Sequence, residues 1–446
     1  MKNRLLYRIK QDIFRGLGEY SKCFPDFDIW QLSKPFIHKE NSSQIWEAAR
    51  DSLKASENFL IYIHLPFCFA QCRFCNAFPF KPNKSQQELY VKYLVREAEL
   101  FSKLGIFDDK KVSCVYLGGG TPTGMGVENL QRILHRIRGL FAFKENCDVT
   151  CETHPVRMIG KSGLKNIKLL KEAGVNRVSM GAQTFDKAVL NYCHRCHTVG
   201  DVEKALNNLK EFQMRNNVDM MTGLPGQTVR SLKNDLLKLE KLNPDAVEYM
   251  RHDVVNDKVI KLYKKHPELL VDKDALFEMN LLCQKWMERQ GYEQNGSFSE
   301  NSQFFPYRYD WVMGKPYLGL GSGAVSHFGG VRFVKLGNLS LYFSSLERNI
   351  MPIWNFRVFS NLEQAYRTLL LRLQTKAGIT TKELKDRFGA GNYNAINLTI
   401  NKLKDYELII DNGGVVRLTD SYGRYFVEDI CDLIMDESRR ILGIRI

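Results

Sequence analysis

The run Tyr62-Ile-His-Leu-Pro-Phe-Cys-Phe-Ala-Gln-Cys-Arg-Phe-Cys75 decides the fold. It places Cys68, Cys72 and Cys75 at C-x3-C-x2-C spacing, with no fourth cysteine close behind. Thiolates usually hold every iron of a cubane iron–sulfur cluster. A compact triad leaves one iron without a protein ligand. An open metal position signals chemistry, as it does on zinc, where closed sites are structural. Other readings of the triad fit less well. Zinc calls for two close pairs or a nearby fourth Cys or His. His64 precedes the triad, but on a strand-like run it reads as a residue that packs or orients a neighbour. A disulfide framework needs an oxidising compartment and a small domain.

The surrounding chain agrees with a large intracellular enzyme. Its 446 residues suggest one catalytic domain with smaller appendages. A 44% hydrophobic and 26% charged composition is that of a globular protein. No apolar run approaches the ~20 residues that span a bilayer. The start turns charged again by Arg8 and lacks the pattern of a signal peptide. The expected location is therefore cytoplasmic. Eleven cysteines, an odd number, favour reduced thiols and metal ligation. Cys193-His-Arg-Cys196 forms a second C-x2-C, read as a loop whose Arg195 matters more than its cysteines. The formal net charge of +14 favours anionic partners. It is spread along the chain, so a solvated basic surface is expected and nucleic acid is not called for.

From residue 61 onward, short apolar strands alternate with amphipathic helices. Strands are expected at 61–65, 112–117, 148–152, 177–180, 218–222 and 246–250. Helices are expected at 86–104, 127–141, 163–173, 201–212 and 229–242. This alternation implies βαβ units and a parallel sheet. Six units fall short of a full eight-stranded barrel. The expected fold is α/β: a partial (β/α)6 TIM-like barrel with its site at the strand C-termini. An N-terminal extension (1–58), with a helix at 43–55, precedes the core (59–255). An α/β elaboration closing the barrel follows (256–358), with a long helix at 274–290 and a glycine-rich turn, Leu318-Gly-Leu-Gly-Ser-Gly-Ala324. A C-terminal α+β unit (359–446) completes the chain. It contains helices at 362–376 and 392–405, a helix start at Thr380 or Thr381, and a hairpin turning at Asn412-Gly413-Gly414. That order is winged-helix-like, and it reads as a lid on the barrel rather than a DNA reader.

Each chemical motif directly follows a strand, so each faces the barrel mouth. Gly118-Gly-Gly-Thr-Pro-Thr123 can offer backbone groups edge-on to a ligand. Glu152 can hold a hydroxyl or an ammonium. Gln183 and Arg195 can bind a ribose and a carboxylate, for which a guanidinium fork is suited. Asp219, opening Asp219-Met-Met-Thr-Gly-Leu-Pro-Gly-Gln-Thr228, can take a second hydroxyl. Tyr62, Phe67, Phe69 and Phe74 can wall a cluster and limit water, although ordinary core packing explains the phenylalanines equally well.

Together these stretches, with Arg177-Val-Ser-Met-Gly-Ala-Gln183, resemble the oxygen-independent coproporphyrinogen III oxidase family, the HemN-like branch of the radical S-adenosylmethionine (SAM) enzymes. The resemblance is strong over residues 61–253 and weaker beyond. It implies a 4Fe–4S cluster and one or two SAM molecules. Cys68, Cys72 and Cys75 would ligate the cluster. Gly119, Gly120, Thr121, Glu152, Gln183, Arg195, Asp219 and Val325 would contact SAM. Tyr62 would lie beside the cluster, also as a catalytic candidate. Electrons would come from a donor such as flavodoxin or ferredoxin, and the substrate would be a small molecule: a tetrapyrrole, a quinone or a natural-product scaffold.

The departures shape the functional expectation. The decarboxylating oxidase carries Gly-Cys after its third cysteine, where this chain has Asn76-Ala77, and its N-terminal segment is unmatched at residues 20–28. The related haem chaperone usually starts near the cysteine motif and has a histidine-containing stretch where residues 304–311 here have none. The haem-opening methylase shows a Phe-Tyr-Gln-Asn run where this chain has Ala77-Phe-Pro-Phe80. The leading expectation is radical methyl or methylene transfer to an apolar planar substrate. The alternatives are oxidative decarboxylation of coproporphyrinogen III and haem binding without turnover. Replacing Cys68, Cys72 or Cys75 by Ala is expected to abolish SAM cleavage by reconstituted, reduced protein. Chromatographic assay of 5′-deoxyadenosine checks this, and undiminished cleavage refutes the cluster assignment.

Overall fold

The computed structural model describes residues 42–75, 80, 81, 83–252, 257–294, 298, 299, 305–420, 423, 424, 430 and 434. Residues 20–28 and Asn76-Ala77, used above to separate the family's branches, lie outside them, as do Phe304 and most of the N-terminal extension.

The six expected strands are present: β1 (Asn58–Leu65), β2 (Lys111–Gly119), β3 (Ala142–Thr153), β4 (Arg177–Gln183), β5 (Arg215–Thr222) and β6 (Ala246–Arg251). They pair in chain order, every pair parallel. Covering helices follow the expected periodicity. Val127–Leu140, for example, buries Val127, Leu130, Ile133, Leu134 and Ile137 on one stripe. Reciprocal caps Thr198/Asp201 and Thr228/Ser231 start the helices after β4 and β5. Strand residues alternate between two cores. Phe59, Ile61, Ile63 and Leu65 of β1 face the helices, whereas Leu60 and Tyr62 face the lumen, joined there by Cys114 and Tyr116 of β2.

Among the described residues the sheet extends past the six units to twelve strands. On the β6 edge, β7 (Glu293–Gln294) and β8 (Phe298–Ser299) add antiparallel. On the β1 edge, β9 (Tyr317–Leu320) pairs parallel with β1, and β10 (Val325–Phe328), β11 (Val331–Lys335) and β12 (Ile353–Val358) continue antiparallel. The glycine-rich stretch read from sequence as a turn is thus half strand, and only residues 321–324 turn. Gly319 sits on β9 because any Cβ would meet the Val325 carbonyl oxygen at 2.0 Å.

A buried ion pair ties this added edge to the barrel. Glu97, on the helix Lys84–Ser102, meets Lys335 of β11 at 2.6 Å, both side chains fully buried. Glu97 also accepts from the Gly321 amide (2.7 Å) and the Tyr342 hydroxyl (2.7 Å), and Lys335 donates to the Gly319 carbonyl (2.8 Å). Phe101 covers the ammonium at 4.2 Å. Tyr90 of the same helix donates to His64 O of β1 and accepts from Ser322 N. Burial lowers the Lys335 ammonium from its ordinary value, and Glu97 opposes that shift.

The C-terminal part carries helices Asn361–Leu373, Thr381–Phe388 and Ala390–Asp405, with a three-stranded sheet in the order β13 (Ile379–Thr380), β15 (Val415–Leu418), β14 (Ile409–Asn412). Thr380 caps the second helix by accepting from Glu383 N at 2.9 Å, and the hairpin turns at Gly413 and Gly414, both at positive φ. This α+β arrangement is winged-helix-like. Its core is continuous with the lumen: Tyr366 and Leu369 belong to one apolar cluster with Leu60, Phe305, Trp311 and Tyr317. Among the described residues no helix is long and apolar enough to cross a membrane. Lys335→Met is expected to cost about 3–5 kcal/mol, because it strands a buried carboxylate. Adding Glu97→Leu to it is expected to recover part of that loss. Urea denaturation of the single and double variants checks both outcomes.

Candidate functional site

The cysteine loop leaves β1 after Pro66 and is held by backbone bonds. Phe80 N donates to Pro66 O (2.7 Å) and Cys68 N to Phe80 O (3.1 Å), so the loop is pinched shut at its base. The glycine loop after β2 docks on it, with Gly120 N donating to Leu65 O (2.9 Å) and Thr121 N to Phe67 O (2.7 Å). Gly120 must be glycine, since a Cβ would stand 2.5 Å from Phe67 O.

Cys68, Cys72 and Cys75, all half-buried, line one pocket with Gly119, Gly120, Thr121, Gln183 and Arg195. Phe69, Phe74 and His154 complete its apolar side. Cys68 Sγ lies 3.3 Å from the Thr121 hydroxyl, and Arg195 donates to Cys72 Sγ at 3.3 Å. Burial pushes the Cys68 thiol up to about 11, so iron must displace its proton on cluster assembly. Among the described residues no three His, Cys, Asp or Glu side chains gather tightly enough to hold a single metal ion. A cubane spreads its thiolates over different irons, so a wider triad suits it. Gln183 Oε1 and Arg195 Nε are buried without hydrogen-bond partners. Buried polar atoms left open in this way fit a polar ligand.

The carboxylates stand one layer deeper. Glu152 accepts from the Gly119 amide (3.2 Å) and the Tyr116 hydroxyl (2.8 Å). Burial raises its carboxyl to about 7, against the pull of those two donors. Asp219 accepts from Ser179 Oγ at 2.9 Å and from Asn217 Nδ2. Burial, then Glu248 and Glu152, push it well above the usual carboxylate range. Tyr62 stacks on Tyr116 with 6.1 Å between centroids, and its hydroxyl lies 3.1 Å from His64 Nδ1. It is a lumen residue rather than part of the cysteine pocket wall. Val325 starts β10, its backbone packed on Gly319, two strands from β1 and also outside that wall.

Sequence reasoning missed Glu248, which β6 sets level with Asp219. Its signal was a lone acid in the apolar strand Ala246-Val-Glu-Tyr-Met250. It also missed Arg177, 1% exposed and stacked 3.7 Å from the Phe305 ring, and the pocket-lining His154. The second cysteine pair divides: Cys193 is buried in a small apolar cluster and Cys196 is exposed.

A carboxyl raised on folding binds more protons folded than unfolded between about 4 and its folded value. Its stabilising contribution is therefore full at low pH and is lost as pH rises through about 7. Glu152→Gln is expected to lose less thermal stability than the parent between pH 5.5 and 8.5, on the order of one unit of titration. Melting curves across that window check it.

The protein-family model described as the radical SAM superfamily matches residues 62–239. The heme chaperone HemW of Bacillus subtilis is 27% identical over 365 residues, covering 80% of this chain and 94% of the relative. The oxygen-independent coproporphyrinogen III oxidase of Helicobacter pylori strain 26695 is 23% identical over 415 residues, 88% of this chain and 89% of the relative. The solved structure of coproporphyrinogen III oxidase (HemN) from Escherichia coli, 22% identical, superposes with a TM-score of 0.76, covering 87% of this chain and 93% of that one; at that identity it speaks for the fold. A cysteine triad facing a glycine loop at the mouth of a partial barrel, with these matches, leads to one conclusion: residues 62–239 carry a radical SAM domain, of the superfamily whose cofactors are a 4Fe–4S cluster and SAM, in a chain similar along most of its length to the HemN-like proteins.

Proposed function

We propose that the protein binds a tetrapyrrole beside its SAM site and acts as a haem-binding chaperone of the kind its relatives are named for. The observation that carries this reading is the match to heme chaperone HemW along 94% of that protein's length. Methyl transfer, the leading expectation from sequence, is not carried forward. The relatives that span this chain are named as haem chaperones and coproporphyrinogen oxidases, which fit the two alternatives better. Decarboxylation of coproporphyrinogen III is the second reading, favoured by the match to the Helicobacter pylori oxidase along 88% of this chain. Against it stands Asn76-Ala77, where the oxidase carries Gly-Cys after the third cysteine.

In either case Cys68, Cys72 and Cys75 hold the cluster, which when bound supplies the electron for reductive cleavage of SAM. Arg195 offers its fork to the SAM carboxylate. The backbone of Gly119, Gly120 and Thr121 receives the methionine amino group. Gln183, Glu152 and Asp219 take the ribose hydroxyls and the ammonium. Val325 bounds the SAM site on the β10 side. Tyr62 lies beneath, closing the lumen against water together with Tyr116 and Tyr307. The reductant is a flavodoxin or ferredoxin, drawn to a basic surface, and the location is the cytoplasm.

Anaerobically reconstituted protein is expected to bind haem at about one equivalent, read from the Soret band. With coproporphyrinogen III, SAM and dithionite it is expected to release no carbon dioxide. Release of labelled carbon dioxide assigns the protein to the oxidase instead. Neither haem binding nor release sinks both readings.

A further inference from the structure

The segment Gly181–Phe185, at the end of β4, has an unusual backbone. Gln183 sits at φ 70°, a left-handed conformation rare for a residue with a side chain. Thr184 N donates to Ala182 O at 2.9 Å, closing a three-residue turn around it. Such γ-turns are strained and persist where the surroundings over-determine them, chiefly at functional sites.

The surroundings here are specific. On one side the buried Asp235 carboxylate accepts from Thr184 Oγ1 (2.7 Å) and Phe185 N (2.8 Å). On the other, Arg195 donates to Gly181 O, and His197 Nε2 lies 3.1 Å from Ala182 O. A carbonyl only accepts, so His197 Nε2 carries a proton. His197 Nδ1 then faces His154 Nε2 at 3.3 Å, and His154 Nδ1 accepts from Val156 N at 3.4 Å. Fixed backbone groups at both ends set every proton between them. His154 Nε2–H donates to His197 Nδ1, and His197 Nε2–H donates to Ala182 O. Both rings are neutral in this chain, and burial together with the Arg195 charge holds them so. The glycine at 181 lets the Gln183 amide fold back, since a Cβ there would lie 2.6 Å from Nε2. Oε1 is left buried and unpaired in the cysteine pocket.

We infer that His154 and His197 are positioning residues: their hydrogen-bonded couple, running from the β3 end to the β4 end, holds the Gln183 turn so that its amide meets SAM. The inference rests on the proposed Gln183–SAM contact. Neither imidazole has a nitrogen left for substrate, so the pair acts through Gln183 and not on the reacting atoms.

The test uses the full-length, cluster-loaded protein. It reads the Kd for SAM by anaerobic equilibrium dialysis, with iron content and near-UV circular dichroism as folding controls. Gln183→Ala is expected to weaken SAM about tenfold. His154→Asn keeps an acceptor for Val156 N, since Asn is a good N-cap, but cuts the link to His197. It is expected to weaken SAM about threefold to tenfold alone, and less than about twofold when added to Gln183→Ala. Equal penalties in both backgrounds overturn the positioning role while leaving the SAM site intact. An unchanged Kd for Gln183→Ala overturns the SAM contact itself, and the inference with it. His197→Phe repeats the cycle if His154→Asn loses iron.

Discussion

The closing of the barrel depends on one buried ion pair, Glu97 with Lys335. The six β/α units leave β1 with an open edge, and an open edge of a parallel sheet exposes unpaired backbone groups. β9 fills it, but it is only four residues long and follows β8 across a long excursion. Tyr317, Leu318 and Leu320 pack its side chains into the core, but the backbone around Gly319 and Gly321 still needs polar partners. Glu97 and Lys335 supply what it lacks: between them they satisfy the Gly321 amide and the Gly319 carbonyl, at the point where the chain turns out of β9. Charges so deeply buried are stabilising only when every polar atom is met. Here Tyr342 takes part of the carboxylate's remaining capacity, and an aromatic face covers the ammonium.

The same helix serves the site. Lys84–Ser102 begins just after the cysteine loop, and its Tyr90 bonds His64 O at the end of β1. The edge closure and the cysteine loop are therefore two ends of one rigid body. The glycine loop completes it, docked backbone to backbone on Leu65 and Phe67. Glu152 backs that loop from below through the Gly119 amide, which a raised carboxyl can do in either protonation state. Polar groups at the mouth are thus oriented before any ligand arrives, the condition under which electrostatic recognition costs least reorganisation.

The C-terminal helices reach the site indirectly. Phe305, Tyr307 and Trp311 carry the apolar cluster of the winged-helix-like part up into the lumen beneath Tyr62 and Tyr116. Tyr116 lies 5.0 Å from Tyr307 and donates to Glu152. The floor of the barrel is therefore built from two regions of the chain far apart in sequence.

What was legible in the sequence was local. Period-2 and period-3.6 patterns placed six strands and their helices to within about three residues, except that β3 starts six residues before its expected position, and the cysteine spacing and glycine runs marked the loops that face the mouth. A hairpin at Gly413-Gly414 and a cap at Thr380 were readable because glycine and threonine act on their own neighbours. β9 to β12 were not readable, because strands of four to six residues are too short to show a period and gain their stability from a partner chosen elsewhere. The meeting of Glu97 with Lys335, the level pairing of Glu248 with Asp219, and the His154–His197 couple that holds Gln183 depend on long-range register. By itself the amino-acid order determined which residues can bind iron and form strands. Only the tertiary structure decided which buried charges neutralise one another and which polar atoms remain open for a ligand, because both depend on distances across the barrel that no local pattern encodes.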